Sequence, residues 1–298
     1  MNQLKNERKC GILMPISSLP SIYGIGNFGA KAYEFVDFLH KTGQSYWQVL
    51  PLNPTSYGDS PYQSPASVSG NPYFIDPETL YKEKLLTAEE LKTAVNKSKK
   101  VDYGWLFNTR YNLLRKAYSR FKKDEEYDIF CHNNIEWLDD YALFMSLKVQ
   151  HGYSEWTSWD SEYQNYEQAK NLVQNYEEEM DFWRFIQFEF YKQWDKLHKY
   201  IKSLGIEVIG DMPIYVAHDS MDVWSNPKDF LLDDNNKPTE VAGCPPDGFS
   251  PDGQLWGNPI YNWDKMKQDG FTWWCKRIAE SFKLYDVLRG ILLNSLWS

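Results

Sequence analysis

The sequence has few cysteines and no long apolar segment. Its 4 cysteines are scattered over 298 residues without a C-x-x-C pair, so the chain predicts neither a metal site nor a disulfide framework. No stretch approaches the roughly eighteen apolar residues of a membrane helix, and the charged N-terminus meets Pro15 and Pro20 before any apolar run of signal-peptide length. We therefore expect a cytoplasmic protein in a reducing compartment, with no membrane partner.

Basic clusters are also scarce. The formal net charge is −9, and the only short basic run is residues 97–100. A nucleic-acid partner needs concentrated lysine and arginine to neutralise phosphates, so the composition argues against one and favours a neutral ligand. The length is sufficient for one large or two ordinary domains with a sizeable core.

Proline is missing from the middle of the chain. All 15 prolines lie between Pro15 and Pro77 or between Pro213 and Pro259. This distribution predicts two turn-rich stretches at a working face and a helical insertion between them. Both stretches are rich in aromatic, carboxylate and amide side chains: Tyr57, Tyr62, Tyr73, Trp224, Trp256, Tyr261, Asp59, Asn71, Asp211, Asp247 and Asn258. Flat rings and hydrogen-bonding side chains together are typical of a sugar site.

The apolar pattern predicts four units of strand followed by helix. Strands are expected over residues 11–16, 45–52, 206–216 and 285–288, with helices over 31–41 and 271–283. Between the second and third strands the pattern is helical over about 103–122, 134–150 and 163–203, after a capping box from Thr87 to Glu90. Segment 206–216 starts as a buried strand that runs out into Pro213, so Asp211 falls at the carboxyl end of this strand, where a buried carboxylate needs a partner.

This order predicts an α/β fold that resembles the opening half of a (β/α)₈ TIM barrel. About four strands are present, which makes the barrel incomplete, and a helical insertion lies between strands 2 and 3. We divide the chain into residues 1–77, the first part of the barrel with a long loop; residues 78–204, the insertion; and residues 205–298, the continuation of the barrel.

Several long strings resemble the amylomaltases, which are 4-α-glucanotransferases or disproportionating enzymes of the α-amylase clan. The resemblance covers essentially the whole chain up to about Arg289. The matching strings occur in family order: Gly11–Ser21, Tyr23–Gly26, Gln48–Pro54, Ser60–Pro65, Gly70–Tyr73, Gly210–Val216, Asp222–Trp224, Pro245–Asp247 and Gly253–Pro259. Several ordered strings are far more specific than one short motif. Such a resemblance implies a cytosolic enzyme that needs no metal and no organic cofactor.

The implied reaction moves a segment of an α-1,4-glucan or maltodextrin donor to the 4-hydroxyl of a glucose or maltodextrin acceptor. It proceeds by retaining double displacement, with a carboxylate nucleophile and a second carboxyl group as acid and base. The resemblance assigns sugar contacts to Tyr62, Asp211 and Trp256, and we add Asn258 to this set. A purely structural role stays open for each of them, and Asp247 and Asn258 are also common turn residues.

The sequence departs from the family at the catalytic positions. The family's nucleophilic aspartate should follow Arg289 by two residues, but Gly290 and an unrelated tail to Ser298 stand there. The acid/base glutamate and the third carboxylate are absent as well, so we assign no catalytic residue. We expect a truncated chain with little or no activity of its own. Two alternatives remain open: a non-catalytic α-glucan-binding protein and an α-glucan hydrolase of the same clan.

Overall fold

A computed structural model describes residues 8–56, 58–96, 98–246, 248 and 250–290. The described strands are β1 (Gly11–Leu13), β2 (Tyr46–Gln48), β3 (Glu207–Met212), β4 (Val241–Cys244), β5 (Gln254–Pro259) and β6 (Val287–Gly290). The described helices are α1 (Ala30–Lys41), α2 (Pro77–Lys82), α3 (Ala88–Thr93), α4 (Tyr103–Tyr118), α5 (Glu125–Asn133), α6 (Ile135–Gln150), α7 (Ser161–Gln164), α8 (Tyr166–Lys170), α9 (Glu177–Ser203), α10 (Met221–Ser225), α11 (Trp263–Gln268) and α12 (Thr272–Leu284).

The central sheet contains four parallel strands in the order β1-β2-β3-β6. This confirms the α/β class and the four predicted strands. β1, β2 and β3 are shorter than predicted. β1 ends early because Pro15 has no backbone N–H to donate to the ladder and a 3₁₀ turn begins at Ile16. In the ladder between β3 and β6, Asp211 lies opposite Arg289.

Helices α2 to α9 separate β2 from β3 along the chain. The longest, α9, carries 14 buried residues and packs on α6, α1 and β3. The predicted single helix over 163–203 is wrong in its first part, which forms α7, α8 and a 3₁₀ turn. Asn165 ends α7 and caps α8 by accepting from Gln168 N, so the chain changes direction there. α5, which sequence analysis did not predict, begins where Asp124 caps Tyr127 N.

Helix side chains bind the backbone of the first loop, residues 53–76. Gln187 of α9 accepts a hydrogen bond from Gly70 N and donates one to Gly70 O, at 2.7 and 3.0 Å. Gln193 accepts from Asp76 N at 2.8 Å. Arg110 of α4 donates to three carbonyl oxygens, those of Tyr23, Tyr73 and Ile75. Burial lowers the pKa of this guanidinium to about 10, which still leaves it charged near neutrality.

The second proline-rich stretch is more ordered than its composition indicates. β4 and β5 form an antiparallel hairpin where only a loop was predicted. α10, capped by Ser220, was also missed. A 3₁₀ turn over Pro227–Asp229 follows α10. Neither the alternation of a strand nor a helical period is visible in segments this short.

Gly70 provides a test of how closely the first loop packs on α9. A Cβ at Gly70 would lie 2.1 Å from the Phe190 ring, which is fully buried. We expect Gly70→Ala to lower the free energy of unfolding by about 1–3 kcal/mol through overpacking. Gly104→Ala is the control, since the nearest atom to its Cβ would be 3.5 Å away. Urea unfolding measures both variants, and equal midpoints would contradict the close contact.

Glu189 of α9 makes stability depend on pH. This residue is fully buried, and burial raises its pKa to about 7, although Lys192 opposes the shift from 2.6 Å. The folded state therefore holds this proton more tightly than the unfolded state, whose pKa is 4.5. The stabilisation is complete below pH 4.5 and is lost as pH rises through 7; the difference is about 3 kcal/mol.

We expect Glu189→Gln to flatten the decrease in stability between about pH 4.5 and 7, measured by urea unfolding across that range. Glu89→Gln is the matched control, because Glu89 also pairs with a lysine three residues later but on an exposed surface. A Glu89 variant that flattens the curve equally would show that burial is not the cause.

Candidate functional site

A hydrogen bond joins the first loop to the end of β3. Tyr62 Oη donates to Asp211 Oδ2 at 2.6 Å. Asp211 is only 1% exposed, and a phenol donating to a buried carboxylate forms a short, charge-assisted bond. Burial, and then the bond to Asp211, raise the pKa of Tyr62 well above its usual value. The hydroxyl therefore stays protonated and acts as a donor near neutral pH.

Gln63, the next residue, connects the first loop to β5. Its Nε2 donates to Asn258 Oδ1 at 3.0 Å and to Trp256 O at 3.3 Å. Asn258 is buried and donates through Nδ2 to Val216 O at 2.8 Å. Gln63 and Asn258 together thus hold the first loop, β5 and the stretch after β3 beside one another.

Trp256 lies at the surface of the hairpin. Its side chain is 40% exposed, and its Nε1 donates to Gln254 Oε1. The ring centroid lies 6.4 Å from that of Tyr215, which follows β3. Its neighbour Leu255 is 81% exposed. The hairpin therefore presents an indole and an apolar side chain next to a second aromatic ring.

The structure brings the four predicted residues into one region. Tyr62 contacts Asp211 directly, and Gln63 links this pair to Asn258 and Trp256. Their assignment as sugar contacts stays a prediction. Asp247 and Tyr57 lie outside the described residues.

Arg277 of α12 is an important residue that sequence reasoning missed. It is buried and donates to the carbonyl oxygens of Pro213 and Ile214, directly after β3. Its guanidinium lies over the rings of Trp273 and Trp274. A single arginine in an amphipathic helix gives no local signal of such a contact. Its effect is to fix the backbone that carries Tyr215 toward the site.

Asp222 of α10 holds another part of the first loop. Its two carboxylate oxygens accept hydrogen bonds from Ser67 N and Ser67 Oγ, at 2.8 and 2.6 Å. Burial raises the pKa of Asp222, whereas the bonds from Ser67 and the charge of Arg277 oppose this shift. The site thus has hydrogen-bonded support from α10 as well as from α9 and α4.

The described residues lack two kinds of feature. No group of three or more histidine, cysteine, aspartate or glutamate side chains in this part of the chain is arranged to hold a metal ion. Among the same residues, no helix has the length and apolarity needed to cross a membrane.

A family model for 4-alpha-glucanotransferase, glycoside hydrolase family 77, matches residues 14–290. The chain belongs to this family. The 4-alpha-glucanotransferase of Clostridium butyricum is 49% identical over 283 residues, which cover 93% of this chain and 58% of that protein. The 4-alpha-glucanotransferase of Thermus thermophilus is 41% identical, with 95% and 57% covered. The chain thus spans little more than half the length of these family members.

Solved structures agree with this assignment. An amylomaltase from Streptococcus agalactiae in complex with acarbose superimposes with a TM-score of 0.90 at 42% identity, covering 95% of this chain and 59% of that one. An amylomaltase from Corynebacterium glutamicum, 16% identical, reaches a TM-score of 0.73 over 95% of this chain and 40% of its own. The second likeness concerns the fold alone, and it places the four-stranded parallel sheet within the amylomaltase architecture.

The position of Gln63 in this family member can be tested through the hairpin. We expect Gln63→Leu to speed amide hydrogen exchange in β4 and β5 about tenfold, because two hydrogen bonds to β5 are lost. Gln44→Leu is the control, since the side chain of Gln44 donates to Thr42 O, two residues away on an exposed surface, and does not reach the hairpin. Unchanged exchange in the Gln63 variant would mean that the hairpin is held by other contacts.

Proposed function

We propose that this chain provides the substrate-binding part of a 4-α-glucanotransferase, an enzyme that moves α-1,4-glucan segments between maltodextrins by retaining double displacement. The donor is an α-1,4-glucan or maltodextrin, and the acceptor is glucose or a maltodextrin. One observation carries the proposal: Tyr62 and Asp211 meet at the end of β3 and are linked through Gln63 to Trp256 and Asn258. The same residues carry the resemblance to the family.

Each of these groups has chemistry that suits a sugar. The Asp211 carboxylate accepts hydrogen bonds from ring hydroxyls, and Asn258 offers an amide. The rings of Tyr62 and Trp256 provide flat apolar faces for the C–H face of a pyranose. Trp256 is partly exposed on the hairpin, and a sugar held under this hairpin would be shielded from water. Such shielding favours transfer to an acceptor over hydrolysis.

We further propose that this chain supplies the substrate-binding part of the enzyme and not its catalytic carboxylates. Gly290 follows Arg289 directly, where the family's strand continues toward the nucleophilic aspartate. The four-stranded order β1-β2-β3-β6 supports about half of a (β/α)₈ barrel, with α2 to α9 as the insertion. We propose residues 1–77, 78–204 and 205–298 as its parts, and the cytosol as its location.

Incubation of the purified chain with maltotriose tests this function. We expect binding with little or no turnover, since without a nucleophile no covalent glycosyl intermediate forms. Glucose together with longer maltodextrins would show transfer and would contradict the assignment of the catalytic groups. Release of reducing ends without chain lengthening would favour a hydrolase. No binding at all would overturn the sugar site.

The site residues can be tested by calorimetry with maltotriose. We expect Asp211→Asn and Trp256→Ala each to weaken maltotriose binding about tenfold or more. The first substitution removes a charged hydrogen-bond acceptor, and the second removes an aromatic face for stacking. Tyr81→Ala is the matched control: Tyr81 is 41% exposed on α2, close to the exposure of Trp256, and is not part of the site. Equal affinities for the Trp256 and Tyr81 variants would remove Trp256 from the site.

A further inference from the structure

A small cavity lies directly behind Asp211, between β3 and α12. Its lining includes Asp211 and Met212 of β3, Glu280 and Ser281 of α12, and Asn53 of the first loop. About 10 Å³ of it is open to the centre of a water molecule. A single water needs about this much room, provided that polar partners surround it.

Two residues that line this cavity, Asp211 and Glu280, each carry a carboxylate oxygen that needs a hydrogen-bond donor. Within the described part of the chain, Asp211 Oδ1 and Glu280 Oε2 are buried and have no protein partner. A buried hydrogen-bond acceptor without a donor lowers the stability of the folded state by its desolvation free energy. Each carboxylate uses its other oxygen elsewhere: Asp211 Oδ2 accepts from Tyr62 at 2.6 Å, and Glu280 Oε1 pairs with Lys283 at 2.7 Å.

The two free oxygens cannot satisfy each other. Ionised carboxylates only accept hydrogen bonds. A water molecule has two protons and can donate one to each oxygen. Ser281 does not compete for this role, because its hydroxyl already donates to Arg277 O.

We propose that one water molecule in this cavity bridges Asp211 Oδ1 and Glu280 Oε2, and that Glu280 is a positioning residue for Asp211. The inference rests on the proposed function in so far as Asp211 binds glucan. The water and Tyr62 then hold opposite oxygens of Asp211, which fixes the plane of the carboxylate. Lys283, three residues later on α12, in turn pairs with the other oxygen of Glu280.

A high-resolution crystal structure of the whole chain without ligand tests the bridge. We expect one water at about 2.7–2.8 Å from both oxygens, the ordinary O–H···O distance. A cavity without density would overturn the proposal. So would a bound cation, recognised by additional oxygen ligands, or direct pairing of Glu280 Oε2 with a protein donor.

Two substitutions of Glu280 test its effect on Asp211. Glu280→Leu removes the second partner of the water, and we expect maltotriose affinity to fall about fivefold, the effect of one modest hydrogen bond. Glu280→Gln keeps a polar group that can bond the water, and we expect its affinity to stay within about twofold of the parent chain. Equal affinities for the leucine variant and the parent chain would overturn the positioning role.

The matched control is Glu136→Leu. Glu136 pairs with Lys276, also on α12, at 2.8 Å, but both side chains are exposed and neither lines this cavity. Losing that ion pair therefore changes α12 without changing the water. An affinity loss in the control equal to that of Glu280→Leu would assign the effect to helix stability and overturn the proposal.

A measurement without sugar separates the two proposals. The ¹³Cζ chemical shift of Tyr62 reports its hydrogen bond to Asp211, and we expect it to change in Glu280→Leu but not in Glu280→Gln or Glu136→Leu. If the parent chain binds no maltotriose, the proposed function fails, yet this shift and the density still decide whether the water is present. An unchanged shift in Glu280→Leu would overturn the positioning role.

If the Glu280→Leu variant does not fold, the crystal structure of the Glu280→Gln variant tests the bridge instead. Absence of the water from that structure would overturn the bridge.

Discussion

The buried carboxylate of Asp211 is the constraint on which the arrangement of the site depends. Moving a charged group out of water is expensive unless hydrogen bonds or charges compensate. Tyr62 provides one such bond, and to reach Asp211 it must come from a loop that helices α2 to α9 separate from β3 along the chain. The position of the first loop is therefore set by the electrostatic requirement of one residue as much as by apolar packing.

The helices between β2 and β3 help to meet this requirement by holding the first loop. Gln187, Gln193 and Arg110 bond to backbone groups of that loop or of the segment beside it, and these groups are buried away from water. Side chains that satisfy buried backbone groups fix a loop without any regular secondary structure. The helices between β2 and β3 thus have a direct part in the site, although none of the four predicted sugar contacts lies on them.

Much of this could be predicted from the sequence. Asp211 was found because it ends a buried apolar run, and Tyr62 and Trp256 because they lie in long strings that resemble a family. Gln63 lay inside one of these strings, but its contacts with β5 depend on a distance that no local pattern encodes. Arg277 and Glu280 were missed for the same reason: both are ordinary residues of an amphipathic helix until the fold places them behind β3. The hairpin was missed because its strands are short and rich in glycine and proline, where propensity is weak.

The pairing of β2 with β3 has a consequence for how the chain folds. Tyr46 pairs with Glu207 in the ladder, so every residue of α2 to α9 lies within the loop that this contact closes. Closing a long disordered loop costs conformational entropy before the contact between its ends can form. Folds that depend on contacts between residues far apart in sequence therefore fold slowly. If helices α2 to α9 pack together first, they bring the two strand ends close to each other. The helices of the middle region are therefore expected to gain structure first during refolding, with the parallel ladder forming afterwards.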